Sequence, residues 1–351
     1  MRRSLPWLLL LVALGLGCNP IASRVFQAGL DANMGADLRD DLHEGLHVLL
    51  CGAGGPLPDP HRGGPCVAVI AGRQVVVVDA GSGAARSLAR LGLAPGVVEV
   101  LFLTHFHSDH IDGLGELATL RWAGAGHTEP LPVHGPPGIS RVTSGFNEAY
   151  ALDARYRTAH HGEEIAPSRG AGLVPHRFEL PVPDGSKTLL EREGLRVLAF
   201  AVDHAPVAPA VGYRFEYAGR SVVVSGDTVR SSNLEREAQS VDLLVHEGLA
   251  AHMVALMNQR ASETGLSNLA KITSDIPDYH ATPVEAAELA KAAGARHLLF
   301  YHIVPPLPLS ILEGLFLEGV DAAYGGPVTL GRDGTLVSLP RGTDQILVDQ
   351  R

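Results

Sequence analysis

What this chain of 351 residues lacks narrows it first. It has only three cysteines, Cys18, Cys51 and Cys66, and none stand in a Cys-x-x-Cys pair, which argues against a cysteine-built zinc site. Basic residues are short: 28 Lys and Arg face 38 Asp and Glu, a formal net charge of −10. Nucleic-acid binding relies on lysines and arginines that displace counterions from phosphates. The acidic balance therefore argues against DNA or tRNA as a partner. No apolar run spans a bilayer comfortably: residues 5–17 fall short of the roughly 20 that a spanning helix needs. Aromatics are few at 5%, whereas 40 glycines and 46% apolar residues suit a substantial α/β core with tight turns.

The short apolar run has its own meaning. Arg2 and Arg3 precede it and Cys18 follows, the layout of a signal peptide. Leu14-Gly15-Leu16-Gly17-Cys18 resembles a bacterial lipoprotein cleavage site, except that Gly15 stands where such sites favour leucine. The expectation is an exported, periplasmic protein, tethered to a membrane through this segment or through Cys18. Cleavage before Cys18 removes two arginines and shifts the charge from −10 to −12. Cys51 and Cys66 flank a Pro/Gly-rich loop. They can pair in an oxidising compartment or remain two buried thiols, the reading favoured here.

The organisation expected is a leader over 1–18, a helical lead-in over 19–45 and one catalytic domain over 46–340. Short β-branched runs at 48–50, 67–70, 75–79 and 97–104 read as strands. Runs at 210–217 and 221–225, joined through Ala218-Gly219-Arg220, read as a hairpin, and 328–330 with 336–339 as a second. Residues 283–293 form an amphipathic helix, capped by Thr282 with Pro283 at its first position and Glu285 three after the cap. Segments 140–170 and 252–279 are polar, helical in pattern, and placed as insertions over one rim. Strands in hairpins and strands alternating with helices together imply mixed sheets.

The chemistry concentrates in Thr104-His105-Phe106-His107-Ser108-Asp109-His110, directly after a strand. Imidazole nitrogens and carboxylate oxygens converging from one loop are the donors that borderline divalent metals prefer. His204, Asp227 and His302 each follow or close a later strand. Recurrence at that kind of position makes them candidates for the same centre.

This pattern resembles the HxHxDH signature of the metallo-β-lactamase superfamily, and most closely the branch of ribonuclease Z and the metallo-β-lactamase-type arylsulfatases. Supporting pieces are Asp79-Ala-Gly-Ser-Gly, Val133-His-Gly-Pro-Pro, Ser225-Gly-Asp-Thr, His246-Glu247 and Tyr279-His-Ala-Thr. The resemblance implies an αββα sandwich, two mixed β-sheets flanked by helices. It implies two divalent cations, zinc by default, one held by His105, His107 and His204 and the other by Asp109, His110 and His302. Asp227 would bridge them, and Asp79 would orient a ligand histidine. Cations about 3.5–4 Å apart can share a water and present it as hydroxide. His280 would then protonate the leaving group, oriented by Glu247.

For the substrate, segment 141–164 is similar to the arylsulfatase-like group, so that Tyr150, Arg155 and Tyr156 line an entrance or else merely decorate a surface helix. His160 and His161 are left out of the ligand set. The Pro-x-Lys-x-Arg-Asn loop of ribonuclease Z is replaced by Pro58-Asp-Pro-His-Arg-Gly-Gly64. The expectation is an arylsulfatase-like or phosphodiesterase-like hydrolase of small anionic esters. Its rivals are a ribonuclease Z-like tRNA 3′-processing enzyme, a carboxylic-ester or lactone hydrolase, and a non-catalytic metal-binding module. A homodimer is compatible with all of these.

Overall fold

The computed structural model describes residues 21–31, 34–180 and 185–351. The expected leader and Cys18 lie outside the described residues. Within the lead-in, residues 21–31 form an exposed helix and Leu38–Asp40 a short 3-10 turn with Leu38 buried. Among the described residues no helix is long and apolar enough to cross a membrane.

Two sheets form the centre. The first contains β1 (Gly45–Gly52), β2 (Cys66–Ala71), β3 (Gln74–Val78), β4 (Val100–Phe102), β5 (Leu131–Gly135), β6 (Leu173–Arg177), β14 (Thr335–Pro340) and β15 (Leu347–Gln350). Their order is β15-β14-β1-β2-β3-β4-β5-β6. The second contains β7 (Ser186–Arg192), β8 (Leu195–Ala201), β9 (Val211–Tyr217), β10 (Arg220–Val224), β11 (Leu243–Leu249), β12 (Leu298–Val304) and β13 (Val328–Leu330). Their order is β13-β12-β11-β10-β9-β8-β7. Both sheets are mixed: β1 to β3 pair antiparallel and β3 to β6 parallel. Likewise β7 to β10 pair antiparallel and β10 to β13 parallel.

Strand alternation builds the layers. Leu46, Val48 and Leu50 of β1 face the second sheet and share a core with Tyr213, Val222 and Val245. Leu49 and Cys51 face the other way, toward Leu88 and Leu117 of the helices Ala84–Arg90 and Leu114–Ala125. The outer face of the second sheet packs on the helix Pro283–Ala293 through Ala286, Leu289 and Ala290. The result is helix, sheet, sheet, helix, with strands apolar on both faces because both are covered.

Several expectations hold locally. Thr282 and Glu285 form the full capping box on the helix Pro283–Ala293. In the β9–β10 turn Ala218 and Gly219 both have positive φ, 52° and 79°, the twist a two-residue hairpin favours.

Four expectations are corrected. Residues 328–330 and 336–339 form no hairpin: β13 pairs with β12 and β14 with β1. The Gly331–Gly334 segment crosses between sheets, with the Gly331 amide donating to the Phe300 carbonyl and the Gly334 amide to Leu50. The strand expected over 97–104 is only β4, because Pro95–Val97 fold as a 3-10 turn and the Thr104 amide leaves the ladder for Asp79. The first sheet runs past residue 340, since β15 pairs with β14. Finally, Cys51 and Cys66 form a disulfide, with Cα atoms 5.0 Å apart. A bulge explains it: Leu50 pairs with Val67 and Gly52 with Cys66, so Cys51 is the extra residue and lies beside Cys66.

Candidate metal centre

The site lies where strands of both sheets end. The chain leaves β4 through Thr104 and the loop to the short helix Ser108–Ile111, which carries Asp109 and His110. His204 follows β8 and Asp227 follows β10. His302 lies within β12 as a bulged residue: Glu247 pairs with Tyr301 and Gly248 with Ile303, leaving His302 unpaired at φ 46°. A bulge re-aims a side chain, and here it turns an imidazole into the cluster. Asp79, at the end of β3, also has positive φ, 57°. Two of the five described non-glycine residues in the left-handed region thus lie at this one site.

Asp227 is the hub. Its Oδ2 lies 3.7 Å from His105 Nε2, 3.9 Å from His204 Nε2 and 3.3 Å from the Nε2 atoms of both His110 and His302. His107 Nδ1 lies 3.0 Å from His105 Nε2 and 3.4 Å from His204 Nε2. Asp109 Oδ2 lies 3.3 Å from His302 Nε2 and 3.6 Å from His110 Nε2. The donors thus cluster as His105, His107, His204 and Asp227 on one side, and Asp109, His110 and His302 on the other. A third, overlapping group joins Asp227, His280 and His302; all seven residues named on sequence are brought together.

The outer nitrogens are anchored. His110 Nδ1 lies 2.8 Å from Asp79 Oδ2, and Thr104 donates to both Asp79 oxygens through its amide and hydroxyl. His105 Nδ1 lies 3.0 Å from Thr104 Oγ1, and His204 Nδ1 2.8 Å from the Tyr279 carbonyl. Such contacts fix each ring so that its other nitrogen faces the centre.

The electrostatics of so dense a cluster are opposed. Burial drives His105 well below the usual imidazole range, helped by the neighbouring imidazoles. Burial works against the charged form of His110 too, but Asp227 and Asp79 outweigh it and hold that ring well above. For Asp227 burial is outweighed by His302 and His110, and its carboxyl lies well below the usual carboxylate range.

Divalent cations fit these residues. Two donors bound tetrahedrally at about 2.0–2.1 Å sit roughly 3.3 Å apart; the contacts given above run from 3.0 to 3.9 Å, and all donor atoms of a group lie within 4.8 Å of one another. His110 Nε2 and Asp227 Oδ1 are buried without a hydrogen-bond partner, a cost that a cation would remove. Imidazole with carboxylate is also the donor set of such metals.

Next to the cluster is a dyad. His280 Nδ1 lies 2.9 Å from Glu247 Oε1, which also accepts from the amides of Thr228 and Ala281. Burial disfavours the His280 cation, yet Glu247 overrides it and lifts the group to about 9. The His280 ring lies 5.5 Å from the His302 ring and lines the same cavity as Asp109 and Asp227.

The other sequence candidates divide. Tyr150 lines a separate cavity, between the helices Leu114–Ala125 and Ile139–His161, together with Trp122 and Phe146. Tyr156 is exposed with Arg155 over its ring, and His160 and His161 are exposed at the helix end. Tyr150, Arg155 and Tyr156 therefore line no entrance to this site: the long helix turns them elsewhere, and the surface-helix reading stands. What sequence reasoning missed is the role of Thr104, the Tyr279 carbonyl and the apolar lining from Ile272 and Ile276.

Residues 74–303, which contain every donor named above, match the model of the Beta-lactamase superfamily domain. Ribonuclease Z of Mycobacterium avium is 37% identical over 290 residues, 82% of this chain and 96% of that relative. Among solved structures, the metallo-β-lactamase fold protein YhfI of Bacillus subtilis superposes with a TM-score of 0.58 at 19% identity, covering 84% of this chain and 100% of that one. The short form of human tRNase Z superposes with a TM-score of 0.56 at 23% identity, covering 84% and 99%.

Proposed function

The chain belongs to the metallo-β-lactamase superfamily and is a hydrolase of that fold, and from this premise we propose that it is a metal-dependent phosphodiesterase with ribonuclease Z-type chemistry. The observation that carries the reading is the Asp227 hub between two donor sets, with the His280–Glu247 dyad beside it. Two divalent cations, zinc first among them, would supply Lewis-acid charge and an acidified water. His105, His107 and His204 would hold one, Asp109, His110 and His302 the other, and Asp227 both.

The chain's own part is positioning and proton transfer. Asp79 and Thr104 keep His110 and His105 turned inward. His280, its Nδ1 fixed by Glu247, offers Nε2 to the oxygen of the departing alcohol and delivers the proton it needs. A phosphodiester presents one negative charge to this centre, and hydrolysis breaks one P–O bond to leave a phosphomonoester and an alkoxide that such a proton neutralises.

The relatives give weight to the ribonuclease Z reading, one of the rivals named on sequence, over the arylsulfatase-like one. The expectation that nucleic acid is no substrate loses ground to the same names. Export remains our reading of residues 2–18, supported by the Cys51–Cys66 disulfide, because such bonds persist in oxidising compartments. The test is a panel of bis-p-nitrophenyl phosphate, a 3′-extended tRNA and p-nitrophenyl sulfate, offered to zinc- and manganese-loaded protein. Phosphodiester cleavage that is lost in Asp227→Ala is expected. Cleavage of the sulfate ester alone, or of nothing by fully loaded protein, defeats the reading.

A further inference from the structure

We infer that the cavity over this centre selects phosphodiesters flanked by an uncharged, apolar group, and that Ile272 and Ile276 set the preference; the inference rests on the phosphodiesterase reading. The cavity has a volume of about 250 Å³. Beyond the site side chains and Tyr279, its lining includes Pro56, Leu249, Ile272, Ile276 and Val304. Leu249 and Val304 are buried at the ends of β11 and β12, and Ile276 packs on their cluster, so this part of the wall is fixed. Ile272 projects from the helix Ser267–Asp275 and remains 55% exposed while lining the cavity. An apolar side chain left in water at the mouth of a reactive site gains by covering a ligand's apolar surface.

Charge points the same way. No lysine or arginine is among the described residues that line the cavity. Lys271, beside Ile272, is paired with Asp275 at 2.5 and 2.6 Å. Arg62, the one basic residue kept in the loop that departs from ribonuclease Z, is buried and faces Asp59, Glu313 and the Gly331 carbonyl. The scissile phosphate can place its charge on the His/Asp centre. A second phosphate beside it would meet the apolar wall and no lysine or arginine among the described lining residues, and an unpaired charge against apolar lining is costly. A diester with one charge and an aryl or alkyl flank satisfies both constraints, whereas a polyanionic strand meets the first and fails the second.

Alkyl p-nitrophenyl phosphates from methyl to octyl share a leaving group and differ only in the apolar flank. Across the first few carbons kcat/KM is expected to rise about two- to fourfold per methylene. Ile272→Glu and Ile276→Glu should each cut the octyl-to-methyl ratio by about tenfold or more. Leu256→Glu, exposed on the neighbouring helix and outside the cavity, should keep that ratio. Calorimetric binding of the matching alkyl methylphosphonates reads the same slope without turnover. A series flat in both rate and binding, with the methyl ester hydrolysed, overturns the inference and leaves the phosphodiesterase reading standing. So does a 3′-extended tRNA cut with a higher kcat/KM than the octyl ester. Hydrolysis of no member of the series overturns the inference, and it defeats the phosphodiesterase reading as well only if bis-p-nitrophenyl phosphate and the 3′-extended tRNA also stay intact.

Discussion

A histidine ring has two nitrogens, and four rings in this site use one of them to stay in place. Thr104 anchors His105, Asp79 anchors His110, the Tyr279 carbonyl anchors His204 and Glu247 anchors His280. Half of that was legible in sequence. Asp79 and Glu247 stand in recognisable motifs, but a carbonyl has no residue identity, so nothing in the letters marked Tyr279 as the partner of His204. Glu247 is a positioning residue, and a conservative change isolates its charge. Glu247→Gln keeps an acceptor for the Thr228 amide while weakening the hold on His280. On diesters with poor leaving groups, where the proton matters most, kcat should fall by about 10–100-fold. On p-nitrophenyl esters, which leave unaided, the loss should be small, with KM and metal content unchanged. Equal losses across a leaving-group series would show that Glu247 acts only through structure.

Two strands depend on one extra residue each. In β1 the bulge at Cys51 sets that side chain beside Cys66, and in β12 the bulge at His302 turns an imidazole to the site. A short β-branched or apolar run bounded by turn residues locates a strand well, which is why β2, β3 and the β9–β10 hairpin could be read directly from sequence. It is blind to a bulge, since one inserted residue leaves the composition unchanged while reversing which face a side chain takes. The same blindness explains the hairpin wrongly expected at 328–339, where both strands have the right pattern and the partners lie in different sheets. The disulfide closes a sequence separation of 15 residues. Replacing both cysteines by alanine should therefore lower stability by about 2–3 kcal/mol. A urea titration of the oxidised protein against the double variant measures it. Equal midpoints and equal slopes would mean that the bond constrains little.

At the scale of the whole molecule, the donor sets come from both sheets. His105, His107, Asp109 and His110 follow β4 of the first, while His204, Asp227 and His302 belong to the second. The layered architecture was legible through the resemblance, although the sheet's extension to β15 was not, because those residues are exposed and carry little apolar signal. The core between the sheets is built from apolar side chains of both, among them Leu46, Val48, Tyr213 and Val245, and needs no metal donor to join them. Stripping the cations should therefore leave the sandwich folded but less tightly joined. At free metal about 1,000 times Kd the holo form gains about 4 kcal/mol. Chelation should accordingly lower Tm while the far-ultraviolet circular dichroism below the transition stays the same. Acid adds a separable effect. Burial and the neighbouring His176 hold His134 down to about 4. Its neutral form thus favours the native state fully above about 6.5, and that contribution is lost as pH falls from there to about 4. This loss is common to apo and holo protein, whereas protons on the ligands compete with the cations and so reduce the stability that the metal adds. The holo-minus-apo difference in Tm should shrink between about pH 7 and 5. A difference that holds constant across that range would mean that the cations do not rest on these imidazoles.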